Sequence, residues 1–307
     1  MRRRWAADPA GRAATPVPLS ALALVLTAAV IHATWNLLLK RADAEPVSFS
    51  WLAASGGALA IAPFALALHG GELVALGSAQ WSAVVASGVL HVAYFIVLQT
   101  GYRAGDLSVV YPVARGVGPL LSAIAAILLL GEVATPGSIA GLALIVAGTF
   151  TIAGGASILR GQWSARTRAG LLWGAATGVL IAGYTVNDGR AVRLLGVSPL
   201  LFYWLSDTSR SLMLLPAVLH RRAQLRATLA AAWRPALGVA LLSPLGYILV
   251  LEAMTIAPIS HVAPAREVSM LLAAFLGARM LSEGELLRRL SGAALIAGGV
   301  ACLALAG

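Results

Sequence analysis

The chain repeats itself. Tyr111-Pro112-Val113-Ala114-Arg115 in the first half is answered by Ala263-Pro264-Ala265-Arg266 in the second. Downstream of each arginine the same landmarks fall at the same distances. Glu132, Gly141 and Gly148 lie at +17, +26 and +33 from Arg115, and Glu283, Gly292 and Gly299 lie at those offsets from Arg266. Upstream, Tyr94…Leu98-Gln99 matches Tyr247…Leu251-Glu252, and Phe49-Ser50-Trp51 matches Phe202-Tyr203-Trp204. A period close to half the chain restricts the fold to two copies of one unit.

Composition names the medium in which those copies fold. The chain is 59% hydrophobic and 11% charged, with a mean hydropathy of +0.86. Soluble domains carry about 25% charged residues, so this is a membrane protein. A bilayer-spanning helix needs about 20 mostly apolar residues. Ten such runs occur, near 19–40, 47–68, 80–101, 107–130, 136–154, 169–189, 198–219, 235–254, 259–281 and 287–306. Each copy then holds five helices, and an odd number turns the second copy upside down relative to the first. The expectation is an all-α integral membrane protein with ten transmembrane helices in two inverted five-helix repeats. Residues 1–18 form a mobile polar tail, 19–155 the first repeat, 156–168 the linker and 169–307 the second repeat.

Several functional classes drop out. The net charge of +10 suggests nucleic acid, but the basic residues sit in short gaps between apolar runs and form no patch. Met1-Arg2-Arg3-Arg4 resembles the start of a signal peptide. The apolar run behind it is too long for one, so it is expected to be retained. The single cysteine, Cys302, excludes an internal disulfide. No CxxC, HExxH, GxSxG or P-loop pattern is present, and the Gly-x-Gly patterns lie inside apolar runs, so no enzyme is expected. No cofactor is expected either. The expected partners are a small-molecule substrate, the lipid bilayer and the proton as coupling ion.

Polar groups at bilayer depth are costly and mark pathways or partners. His32, Asn36 and Lys40, the only lysine, share one face of the first helix. They line a cavity, or Asn36 bonds a neighbouring helix while Lys40 reaches the interface. His91, Phe95 and Gln99 form a row on the third helix with Tyr94 beside it. On the fourth, Tyr111, Arg115, Gly118 and Ser122 lie on one stripe, and Pro112, Gly116, Gly118 and Pro119 are expected to interrupt the helix. Interrupted helix at membrane depth is tolerated inside protein or beside water. An arginine there grips a carboxylate or phosphate by two hydrogen bonds, or pairs with an internal acid such as Asp207 or Glu267. Its mate on the ninth helix adds Pro258, His261, Pro264, Arg266 and Glu267. Adjacent Arg266 and Glu267 point apart, one toward the cavity and one toward packing. The sixth helix carries Tyr184, Asn187 and Asp188, and the seventh Tyr203, Trp204, Asp207 and Arg210. Asp207 and Arg210, three apart, pair with each other or serve proton coupling.

The substrate-binding candidates are therefore Asn36, His91, Tyr94, Tyr111, Arg115, Tyr184, Tyr247 and Arg266, and the proton-coupling candidates Asp207, Glu252 and Glu267. Gly-rich runs on the fifth and tenth helices fit close helix packing.

Two five-helix units, each ending in a Pro-bearing helix, a Gly131-Glu132 or Ser282-Glu283 loop and a Gly-rich helix, resemble the EamA family of the drug/metabolite transporter superfamily. His32-Ala33-Thr34-Trp35-Asn36 through Lys40, with Tyr111-Pro112-Val113-Ala114-Arg115-Gly116, resembles a bacterial branch of it. The resemblance implies an exporter or exchanger of small polar metabolites such as amino acids or organic anions, often proton-linked. It implies a place in the bacterial plasma (inner) membrane, with cytoplasmic termini. Charge counting points the other way. A cytoplasmic N-terminus leaves six basic residues inside and thirteen outside, and the positive-inside rule prefers the reverse. Alternatives are a multidrug exporter of lipophilic cations, and a membrane enzyme or flippase acting on lipid head groups.

Overall fold

A computed structural model describes residues 17–42, 44–152, 164–269 and 283–305. Most of the expected tail (1–16), the core of the expected linker (156–163) and residues 270–281 of the ninth apolar run lie outside the described residues, as do Arg279, Ser282 and the Lys40 side chain. No strand occurs among the described residues; every regular element is a helix.

In chain order these are α1 (Leu19–Arg41), α2 (Pro46–Ala75), α3 (Ser78–Ala104), α4 (Leu107–Leu130) and α5 (Pro136–Ile152), then α6 (Ala165–Arg193), α7 (Pro199–His220), α8 (Arg222–Ile256), α9 (Ile259–Ala265) and α10 (Glu283–Leu305). Among the described residues seven, α1 to α4, α6, α8 and α10, are long and apolar enough to cross a membrane. The other three differ for separate reasons. α5 has only 17 residues. α7 carries the polar run Ser206-Asp207-Thr208-Ser209-Arg210-Ser211. α9 has 7 residues.

Helix ends follow local chemistry. Pro46 opens α2 at a position where its missing N–H costs nothing, and Glu45 accepts hydrogen bonds from the Val47 and Ser48 amides at 3.2 and 2.7 Å. Gly131 ends α4 in the left-handed region (φ 69°), where a side chain would be strained. That turn aims Glu132 at the start of α9. Its two carboxylate oxygens accept from the Ile259 and Ser260 amides at 2.7 and 2.8 Å. Arg193, at the end of α6, approaches the same carboxylate at 3.6 Å and donates to the Ala257 carbonyl.

Two breaks were not expected from the sequence. α2 leaves helical geometry at His69, just before Gly70-Gly71, and α8 does so at Ala232, three residues before Pro235. Conversely, the expected interruption of α4 is absent: the helix runs continuously from Leu107 to Leu130 through Pro112 and Pro119. Of the two matching Pro-bearing helices, the second is the irregular one among the described residues: α9 ends at Ala265 and the chain tightens into the bonds Glu267 N to Pro264 O (3.0 Å) and Ser269 N to Arg266 O (3.1 Å).

The two halves interleave. α1 packs on α8 and α3 on α6, the same pairing with the copies exchanged; α4 lies along α6, and α2 along α7. α5 packs on α10 through facing glycines. A Cβ on Gly148 would stand 2.5 Å from the Gly292 carbonyl oxygen, and one on Gly141 would stand 2.7 Å from that of Gly299. Since the earlier glycine of one helix meets the later glycine of the other, the two helices run in opposite directions. Phe202, Leu201, Leu251, Met254 and Ile259 fill the core where α7, α8 and α9 meet.

Candidate functional site

A cavity of about 170 Å³ opens between α1, α3, α4, α6, α7, α8 and the turn after α9. Eight of the eleven candidates converge on or against it. His91, Tyr94, Arg115, Tyr184, Asp207, Tyr247 and Arg266 line it, and Glu267 bonds to a lining side chain. Three do not. Asn36 donates to the His32 carbonyl one turn back (2.8 Å), while His32 itself faces the cavity. Tyr111 is exposed, and Glu252 is half-buried elsewhere on α8.

Aromatic rings form much of the wall. His91 stacks on Tyr184 with centroids 4.2 Å apart and meets Tyr247 edge-on at 5.9 Å. Tyr94 meets Tyr184 edge-on at 5.7 Å, and Tyr203 lies 6.0 Å from Tyr247. The His91 Nδ1 donates to the Ser87 carbonyl at 2.9 Å, which leaves Nε2 pointing to other partners.

The charges are not equivalent. Arg115 Nη2 lies 3.0 Å from Glu267 Oε2 and donates to Ser269 Oγ at 3.2 Å. Arg210 and Asp207 form an ion pair within one turn of α7, and Tyr203 Oη donates to Asp207 at 3.1 Å. Arg266 makes no ion pair among the described residues; its guanidinium stands over the Tyr247 ring, 5.5 Å from the centroid. Arg266 and Glu267 do point apart, since the arginine lines the cavity and the acid is buried. Asp188 is fully buried on α6. Tyr247 Oη donates to its Oδ2 at 2.7 Å and Asn187 Nδ2 to its Oδ1 at 3.0 Å, and it forms no ion pair among the described residues.

The sequence analysis missed the α7 wall of Phe202, Tyr203 and Ser206, although Tyr203, Ser206, Asp207 and Arg210 recur at helical spacing and a stripe was there to be read. Among the described residues no group of His, Cys, Asp and Glu is placed to hold a metal ion. The arrangement offers an aromatic, half-polar chamber in which, among the described residues, Arg266 is the lining arginine without an acidic partner.

A family model described as the EamA-like transporter family matches residues 19–154 and again 168–305. The chain belongs to the EamA-like transporter family. It is accordingly a multi-pass membrane protein of a transporter family, built from two EamA repeats. No curated protein matches it. Solved structures do, 28 chains in all. One, described only as the crystal structure of a protein, aligns over 94% of this chain and 99% of its own with a TM-score of 0.69 at 19% identity. At that identity the match speaks for the fold of this EamA-like transporter and not for its substrate.

Proposed function

We propose that this EamA-like protein is a secondary transporter, an exporter or exchanger in the bacterial plasma membrane. Its guest is a small anionic or zwitterionic metabolite, moved by alternating access. The single observation that carries the substrate class is Arg266. It lines the cavity with no acid within ion-pair distance among the described residues, while the other two arginines there are paired. A half-buried guanidinium at a cavity wall suits a planar or tetrahedral anion that accepts two hydrogen bonds. Arg266 is thus the anion anchor, Arg115 is held by Glu267, and Tyr94, Tyr184 and His91 orient the rest of the guest.

Alternating access rests on the repeats. Residues 19–155 and 169–307 act as two inverted halves that rock about the cavity. The opposed directions of α5 and α10, and the exchange of partners between α1–α8 and α3–α6, favour that symmetry.

Thermal stabilisation of the purified protein tests the reading, because a ligand that binds only the folded state raises the melting point by mass action. Succinate, L-glutamate, inorganic phosphate and methylphosphonate are compared with tetraphenylphosphonium. Stabilisation by one or more of the anions or the zwitterion is expected. Stabilisation by the lipophilic cation alone contradicts the proposal and favours a drug exporter using the aromatic wall.

A further inference from the structure

Three acids are buried among the described residues: Asp188, Asp207 and Glu267. Two of them are neutralised in place, Asp207 by Arg210 and Glu267 by Arg115. Neither takes a proton without first releasing an arginine into a low-dielectric interior, which is costly. Asp188 differs. Its partners are neutral donors, the Tyr247 and Ser87 hydroxyls and the Asn187 amide, and no cation lies within ion-pair distance among the described residues. Asn187 is itself fixed by a 2.9 Å bond to the Ala83 carbonyl, so the amide holds its orientation.

Asp188 does not line the cavity, but Tyr247 does, and the Tyr247 hydroxyl is bonded to it. Around that hydroxyl stand His91 from α3, Tyr184 from α6, Tyr203 from α7 and Arg266 beyond α9; Arg115 faces the same chamber from α4. The next residue, Gly189, packs closely against Met254 of α8 and Ile259 of α9. Two cavity-lining hydroxyls, those of Tyr247 and Ser87, connect the carboxylate to the chamber, and the Tyr247 phenol at 2.7 Å is the one that also touches Arg266.

We propose that Asp188 is the site at which this protein binds its coupling proton, reached from the cavity through the Tyr247 hydroxyl. The proposal rests on the transporter reading and replaces the three acids singled out from the sequence. The step is a relay. Tyr247 gives its proton to Asp188 Oδ2 and takes one from a hydronium ion entering the cavity, forming one O–H bond on the carboxyl, restoring its own and leaving a neutral water. The new carboxyl O–H then donates back to the phenol oxygen, and the phenol O–H turns toward the chamber. Tyr247 also lies beneath Arg266, so one ring touches both the proton site and the anion anchor. Neutral Asp188 no longer competes with an arriving anion for the field of Arg266. Proton and anion therefore assist each other, and by linkage to the same degree.

The test is infrared difference spectroscopy of the full chain in lipid nanodiscs, titrated from mildly alkaline to mildly acid pH with no substrate present. A carboxylic acid C=O band is expected to grow in wild type and in Asp207→Asn, to vanish in Asp188→Asn, and to change frequency in Tyr247→Phe, which removes its hydrogen-bond partner. Where Asp188→Asn does not fold, Tyr247→Phe decides alone. A displaced band supports the assignment. A band unmoved by Tyr247→Phe, a band that survives Asp188→Asn, or no band at any pH overturns it. Because no anion is used, failure here leaves the anion-carrier reading standing, and failure of the stabilisation panel leaves this one standing.

Discussion

Arg115 on α4 and Glu267 in the turn after α9 lie 3.0 Å apart, one in each copy of the repeat. Arg115 is the sequence counterpart of Arg266, and the position matching Glu267 in the first copy is Gly116. One acid therefore serves two equivalent arginines, and it bonds to the distant one. The difference between Gly116 and Glu267 leaves one guanidinium neutralised while its mate lines the cavity with no acidic partner among the described residues.

That relationship makes a stability prediction. Arg115→Ala strands a buried carboxylate and should cost about 3–5 kcal/mol, as for other buried pairs that lose one partner. Replacing both, as Arg115→Met with Glu267→Met, should recover most of that loss. Unfolding in detergent micelles followed through a double-mutant cycle gives the coupling. Additive single effects contradict a direct pair.

The α5–α10 crossing depends on absent side chains. A methyl on Gly148 meets the Gly292 carbonyl oxygen at 2.5 Å, a separation that real contacts do not reach, so one backbone must move. Gly148→Ala should cost about 1–3 kcal/mol, in the range of other overpacked interiors. Gly298→Ala, on the same α10 with nothing within 4 Å, should fall within about 0.5 kcal/mol of wild type. Melting points of the two variants decide, and equal effects contradict the crossing geometry.

Outside the span, Glu45 sets a pH dependence. Burial alone would raise its pKa, but the Ser48 and Val47 amides and the Arg221 guanidinium (3.1 Å) outweigh it and hold the carboxyl below its ordinary value. A depressed folded-state pKa stabilises the fold at pH values above the ordinary one, and this stability is lost as pH falls through the lowered value. Glu45→Gln should therefore cost about 0.5–2 kcal/mol at neutral pH, the scale of a lost cap. The gap from wild type should close in acid. A gap independent of pH contradicts the cap as an ionic one.

Much of the fold is legible because a bilayer imposes length. The expected run at 107–130 coincides with α4, and that at 136–154 begins with α5. Boundaries failed where the chain leaves the apolar layer. α8 begins at Arg222 instead of 235, because the arginine-bearing segment before Ala232 is helical yet too polar to read as a span. Breaks failed for a different reason. Proline in sequence marks a lost hydrogen bond, but whether the helix breaks depends on neighbours, and α4 stays helical through Pro112 and Pro119 where α8 breaks before Pro235. At the site, residue types pointed to the chamber because polar groups on apolar helices are rare. The pairing within it was not legible. Arg115 and Arg266 look alike in sequence, and only the crossing of α4 with the α9 turn gives Glu267 to the first. Asp188 gained its importance in the same way, from a hydroxyl on α8 and an amide anchored to α3.

The most direct test of the account is whether Arg266 holds the anion. The measurement is thermal stabilisation by whichever of succinate, L-glutamate, phosphate or methylphosphonate acts on wild type. It is repeated on Arg266→Gln and on the charge-balanced pair Arg115→Gln with Glu267→Gln. Saturation at about 100 Kd corresponds to about 2.7 kcal/mol, which is ample to resolve. Stabilisation lost in Arg266→Gln and kept in the pair is the predicted result. Stabilisation kept in Arg266→Gln and lost in the pair would contradict the assignment and return the anion to Arg115.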